Sequence, residues 1–181
     1  MQRHGWTLLF HDCVVEQLQK LSAAEQRAKS SDPQGFEDNA NVKLFRALSR
    51  LILEVVPGDP ARDEFRQGKT LGADYRHWRR AKVGRRFRLF FRYDSKAKVI
   101  VFAWVNDEQT LRSAGAKSDP YAVFQKRLGQ GNPPDDRAAL VSASRTERLR
   151  AFQSCPLITP EGARSSLQML AIARAMAALC A

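Results

Sequence analysis

Residues 78–105 read WRRAKVGRRFRLFFRYDSKAKVIVFAWV, and their alternation decides the fold. Successive side chains of a strand point to opposite faces, so a period of two separates a buried face from an open one. Over residues 78–83 that period sets Ala81 and Val83 against Arg80 and Lys82. After a turn at Gly84-Arg85, residues 86–93 set Phe87, Leu89, Phe91 and Tyr93 against Arg86, Arg88 and Arg92. The two apolar sets must share one core, which leaves Arg80, Lys82, Arg86 and Arg88 together as a cationic floor on the other face of a hairpin. Asp94-Ser95-Lys96 then leads to residues 99–105, apolar on both faces, which predicts a central strand covered on both sides. Links this short predict an antiparallel meander.

Helical periods flank the meander. Residues 5–10 (GWTLLF) predict a short strand, after which Val14, Leu18, Leu21 and Ala24 or Glu25 follow helical spacing. A second amphipathic helix is predicted over residues 38–55, with Leu44, Phe45, Leu48, Leu51, Ile52 and Val55 as its stripe and Pro57-Gly58-Asp59-Pro60 as its stop. The two form a helical hairpin. Asp119-Pro120 opens a later helix through Tyr121, Phe124 and Leu128, and Gly131-Asn132-Pro133-Pro134 is expected to end the compact part. Further on, Ser144 with Glu147 reads as a capping box, and Thr159-Pro160-Glu161 opens a final helix with Met169, Ile172, Met176 and Leu179 on one side. The class is α+β, with a domain at 1–141 and a helical C-terminal extension at 142–181.

At 181 residues, 44% apolar and 27% charged, the chain suits one domain and is not a disordered or fibrous protein. Its net charge of +11 is local: residues 61–130 hold 17 basic and seven acidic groups, whereas residues 1–60 hold seven and eight. Residues 76–92 carry eight cations and no acid, and seven of the eight are Arg, whose planar fork matches phosphate. Such mutual repulsion is most simply offset by a polyanion, which points to nucleic acid or an acidic protein. A basic surface that only aids solubility is the plain alternative. Cys13, Cys155 and Cys180 form neither a CxxC pair nor an even disulfide framework, which fits a reducing cytoplasm. No apolar run is long enough for a signal-peptide core or a membrane span, so neither export nor a membrane partner is expected.

The chain has no phosphate-cradling GxxxxGK[ST], no GxGxxG, no HExxH and no zinc-like Cys/His spacing, so neither metal nor cofactor is expected. Cys13 reads as a packed helical thiol. His77, beside Trp78, and Glu108, in the loop after the third strand, are acid/base candidates, with packing and capping as the plainer roles. Arginines on a sheet face with Arg112 on a nearby loop suit RNA strand cleavage. RNA carries its own nucleophile, the 2′-OH, and the protein need only align it and stabilise the charge that develops on phosphorus. The same face could instead bind RNA or an acidic protein without cutting anything.

Gly5-Trp6, the stretch FRQGKTLG at 65–72, residues 78–82 and 86–93, VIVFAWVNDEQTLR at 99–112 and residues 119–134 together resemble the YhaV family of type II toxins, over residues 5–141. The resemblance implies a RelE-like fold, a small antiparallel sheet flanked by helices. It implies an endoribonuclease that cuts mRNA on translating ribosomes. It also implies a PrlF-type antitoxin, with operator DNA bound only through the toxin–antitoxin complex. Carried over residue by residue, it makes Arg80 and Arg88 the holders of the scissile phosphate and Lys82 and Arg112 their assistants. The carried-over pattern also covers Trp78, Arg86, Arg92, Asn106, Asp107 and Glu108; Trp78, Arg86 and Arg92, with Arg79, Arg85 and His77 of the same basic hairpin, are expected as RNA contacts, and Glu108 as an acid/base candidate. Two departures stand out: a Gly84-Arg85 turn shorter than the family's, and the extension at 142–181. A non-catalytic RNA-binding protein, or a partner that only sequesters the antitoxin, is the alternative on the same basic face.

Overall fold

A computed structural model of the chain describes residues 1–68 and 70–145. Six strands form one sheet: β1 (Gln2–Arg3), β2 (Trp6–His11), β3 (Arg79–Val83), β4 (Phe87–Asp94), β5 (Val99–Val105) and β6 (Ser144–Arg145), ordered β1-β2-β5-β4-β3, with β6 also paired to β2. Strands β3, β4 and β5 make the expected antiparallel meander. The sheet as a whole is mixed, because β2 pairs with β5 in parallel. This pairing lies between segments about ninety residues apart, and the composition of each strand is silent on its direction.

Helix α1 (Asp12–Ser31) starts where His11 leaves β2 and caps it, His11 Nδ1 accepting from the Cys13 N–H at 3.3 Å. It buries Val14, Val15, Leu18, Leu21 and Glu25 against the sheet and against α2 (Ala40–Arg50), whose first turn is capped by Asn39. The second helix does not run on evenly. It passes through a π-helical turn at Leu51–Val55 into a last turn, α3 (Val56–Gly58). The wider turn rotates the following residues about the axis, so Leu53 and Val56 become buried and the expected Leu51 and Val55 are only half-buried.

The helical hairpin covers one face of the sheet through Trp6, Leu8, Phe10, Ala81, Val83, Leu89, Phe91, Ile100 and Phe102. The hairpin register is the one burial demands, with Ala81 opposite Leu89, Lys82 opposite Arg88 and Val83 opposite Phe87. Its loop holds three residues, with Gly84 at φ +55°, so Arg86 belongs to the turn and not to the sheet face where it was expected. The opposite face is also not an open cationic floor. Phe90 interrupts the row of arginines and seeds a second core with Trp78, Trp104 and Phe124, roofed by α4 (Pro120–Gly129). Phe124 stacks on Phe90 at 4.1 Å and on Trp104 at 5.7 Å, and meets Trp78 edge-on at 5.0 Å. The meander's cations therefore emerge only at its margins.

The compact unit extends past the Gly131–Pro134 stretch. Helix α5 (Arg137–Ser142) buries Leu140 in the second core, and β6 returns to pair with the end of β2. Ser144, expected to cap a helix, lies in this strand and donates to the Leu140 carbonyl at 2.7 Å. Glu147 and the helix expected from Thr159 lie outside the described residues, as does Lys69. Among the described residues no helix is long and apolar enough to cross a membrane.

Candidate nucleic-acid cleavage site

Arg80 lies in edge strand β3, on the face of Phe90, and its guanidinium is fixed at two points. Nε donates to the Tyr121 hydroxyl at 2.8 Å and Nη1 to the Glu64 carbonyl at 2.7 Å. Two residues along, exposed Lys82 shares that face with Arg88. Arg80 and Lys82 open into one cleft of about 380 Å³, with Leu51, Asp63, Glu64, Phe65 and Arg66 as its other walls. Asp63 pairs with Arg66 at 3.0 Å and Glu64 with Arg62 at 3.5 Å, so the carboxylates at the rim have partners of their own.

Arg88 is only 7% exposed, its Nη1 turned back onto the Phe87 carbonyl at 2.7 Å. Its Nε is buried and makes no hydrogen bond. A cation so desolvated projects its field more strongly than one in water, and a buried donor without a protein partner is uncommon in a native fold. Arg112 sits over the Tyr121 ring, 5.3 Å from the centroid, and pairs with buried Asp119. Asp119 also caps α4, accepting from the Tyr121 N–H at 3.0 Å, and takes the Ser113 N–H at 3.0 Å. Arg80, Tyr121, Arg112 and Asp119 thus form one connected chain at the start of α4.

Asn106, fully buried, ties this corner together. Its Oδ1 accepts from the Arg88 N–H at 2.6 Å, and its Nδ2 donates to the Arg86 carbonyl at 3.2 Å and the Thr110 carbonyl at 2.8 Å. Asp107 caps the following short 3-10 turn, receiving Gln109 N–H, Thr110 N–H and the Thr110 hydroxyl.

Several expected RNA contacts are held elsewhere. Trp78 is fully buried, its indole N–H donating to Asp135 at 2.7 Å and its face covered by Arg92 at 5.5 Å, so it has no ring free for a base. Arg92 is committed to that stack and to the Asp135 carbonyl, and burial lowers its pKa while Asp135 opposes the shift. Arg79 points to the helical face, 5.8 Å from the Tyr93 ring, because strand alternation sends it away from Arg80. Arg85, Arg86 and His77 are exposed, His77 within 2.8 Å of Asp135. Glu108 lines a different groove, with Lys20 and Arg27 of α1 and Phe87, and none of Arg80, Lys82, Arg88 or Arg112 borders it. Tyr121 was missed by the sequence reading, which took it as one of the helix's apolar positions. Asp119-Pro120 does place it in a first helical turn, but which neighbour its hydroxyl meets depends on how the helix docks.

The profile of a family described as a toxin with endonuclease activity, of a toxin–antitoxin system, matches residues 8–145. The chain belongs to the YhaV toxin family. It is 42% identical over 139 residues to Toxin YhaV of Escherichia coli O6:H1 strain CFT073, covering 76% of this chain and 90% of that one. It is also 42% identical over 135 residues to Ribonuclease toxin YhaV of Escherichia coli K12, covering 74% and 88%. No solved structure matches it.

Proposed function

We propose that this YhaV-family chain is the ribonuclease toxin of a type II toxin–antitoxin pair, acting on mRNA in the cytoplasm through the Arg80–Lys82 cleft. The observation that carries the reading is the convergence at that cleft. Arg80 and Lys82 open into it beside Arg66, and Arg88 and Arg112 stand behind them on the same side of the sheet. Arg80 holds a non-bridging oxygen of the scissile phosphate and stabilises the charge that grows as the neighbouring 2′-oxygen bonds to phosphorus. The bond to the 5′-oxygen breaks, and the ammonium of Lys82 supplies a proton to that leaving oxygen while the 2′ proton passes to water. The products are a 2′,3′-cyclic phosphate and a free 5′-OH. Arg88 and Arg112 act by their field, since each is already turned toward an internal partner.

Among the described residues the carboxylates that wall the cleft, Asp63 and Glu64, are paired with Arg66 and Arg62, and a ribosome that aligns the mRNA for in-line attack supplies what such a site lacks. The partner that silences the toxin is a PrlF-type antitoxin, and operator DNA is bound only through their complex.

Purified protein and its Arg80→Ala variant, incubated with a defined mRNA with and without translating ribosomes, test this by primer extension of the fragments. Cuts that vanish in Arg80→Ala support the site, and their dependence on ribosomes shows how the substrate is met. Intact mRNA in every lane, from a folded protein that still binds RNA, leaves the non-catalytic binding reading.

A further inference from the structure

We propose that Tyr121 is a positioning residue of the nuclease, holding the Arg80 guanidinium at one orientation toward the scissile phosphate. The inference rests on the assignment of Arg80 to that phosphate. An arginine on an edge strand would ordinarily sample many rotamers, and a guanidinium offers five N–H donors in a rigid fork. Here the Nε–H is committed to the Tyr121 hydroxyl and one Nη1 hydrogen to the Glu64 carbonyl, which leaves the remaining N–H groups for a phosphate.

The acceptor is itself immobile. Tyr121 is 6% exposed, and its ring meets Phe90 edge-on at 5.6 Å beneath the Arg112 guanidinium at 5.3 Å. Its backbone N–H is bound by the capping carboxylate of Asp119, which also grips Arg112 and the Ser113 N–H. The phenol cannot swing aside without losing its edge-on contact with Phe90 and its place beneath Arg112. A tyrosine serving the core alone would need only some acceptor or donor for its hydroxyl. This one meets the site's principal cation, and it receives a hydrogen bond there instead of giving one. That leaves its own O–H hydrogen pointing away from Arg80, while its lone pair locks the Nε edge of the fork.

Tyr121→Phe keeps the ring and deletes only the hydroxyl that accepts from Arg80. Its kcat for RNA cleavage, measured with ribosomes if the wild type needs them, is expected to fall about tenfold to a hundredfold, the range of a slight misplacement of a reacting group. KM and the melting temperature stay close to wild type. In an Arg80→Lys background, where no Nε–H exists to be held, Tyr121→Phe should cause no further loss. Equal losses in both backgrounds, or wild-type kcat in Tyr121→Phe while Arg80→Ala is inactive, overturn the role of Tyr121 and leave the site standing. Wild-type cleavage by Arg80→Ala overturns the site and this inference with it. A direct reading needs no turnover: the Arg80 Nε–H resonance, assigned by its loss in Arg80→Lys, should be protected from solvent exchange in the wild-type chain. Exchange as fast as that of exposed Arg85 overturns the proposal.

Discussion

Asn106→Ala should destabilise the fold and disarm the site together. The side chain is fully buried and joins three segments: the β4 backbone at Arg88, the hairpin turn at Arg86, and the loop at Thr110. Truncation leaves the Arg88 N–H, bonded at 2.6 Å and buried, without its acceptor, at a cost of about 1–3 kcal/mol. The Thr110 carbonyl, only part-buried, loses its donor for roughly 1 kcal/mol more, because water can reach it. The Arg86 carbonyl costs less, since it keeps the Arg112 N–H at 3.1 Å. The sum is about 3 kcal/mol, or a fall in melting temperature of roughly 6–12 °C for a unit of this size. Urea denaturation followed by tryptophan fluorescence reads the stability, and primer extension at a temperature where the variant is folded reads the activity. Cleavage should drop as well, because the same amide sets the backbone from which Arg88 and Arg112 project. Glu108→Gln, two residues away and exposed, is the control and should stay within about 0.5 kcal/mol and cleave normally. A loss below about 1 kcal/mol in Asn106→Ala, with full cleavage, would refute the idea that this amide holds the corner.

Stability should depend on pH through His11. Burial lowers its pKa below 6.5, Asp12 opposes the shift and Arg127 adds to it. The unfolded chain therefore binds the proton more readily, so stability is full above pH 6.5 and is lost as pH falls through the folded-state pKa. Protonation also removes the Nδ1 lone pair that caps α1, so His11→Asn, a cap that does not titrate, should flatten the urea midpoint between pH 7.5 and pH 5. Lys82→Ala should weaken binding of a cleavage-resistant 2′-deoxy analogue and reduce the slope of log K against log salt by roughly 0.7, the loss of one single-strand phosphate contact. An unchanged slope in filter binding would remove Lys82 from the phosphate path.

Period two along residues 78–105, with the demand that apolar faces meet, was enough for the meander, the hairpin register and the pairing of Lys82 with Arg88. Helical spacing, the start at Asp119-Pro120 and the stop at Pro57-Gly58 were enough for the helices near their observed bounds. These are local properties, in which each residue's face follows from its neighbours. The arginines show where such reading ends. Alternation places Arg80, Arg88 and Arg92 on one face, but it does not say that Phe90 would draw α4 down over that face and leave Arg92 clamped to Trp78 and Asp135. Nor does it say that Glu108 would turn to the helical side, or that Tyr121 would meet Arg80 across forty-one residues of chain. A guanidinium becomes a surface contact, a buried strut or a catalytic group according to what packs on it, and packing partners distant in sequence leave no periodic trace. The sequence by itself determined the meander, its flanking helices and the presence of a concentrated positive charge; only the tertiary structure decided the parallel pairing that completes the sheet and which of those charges faces a cleft.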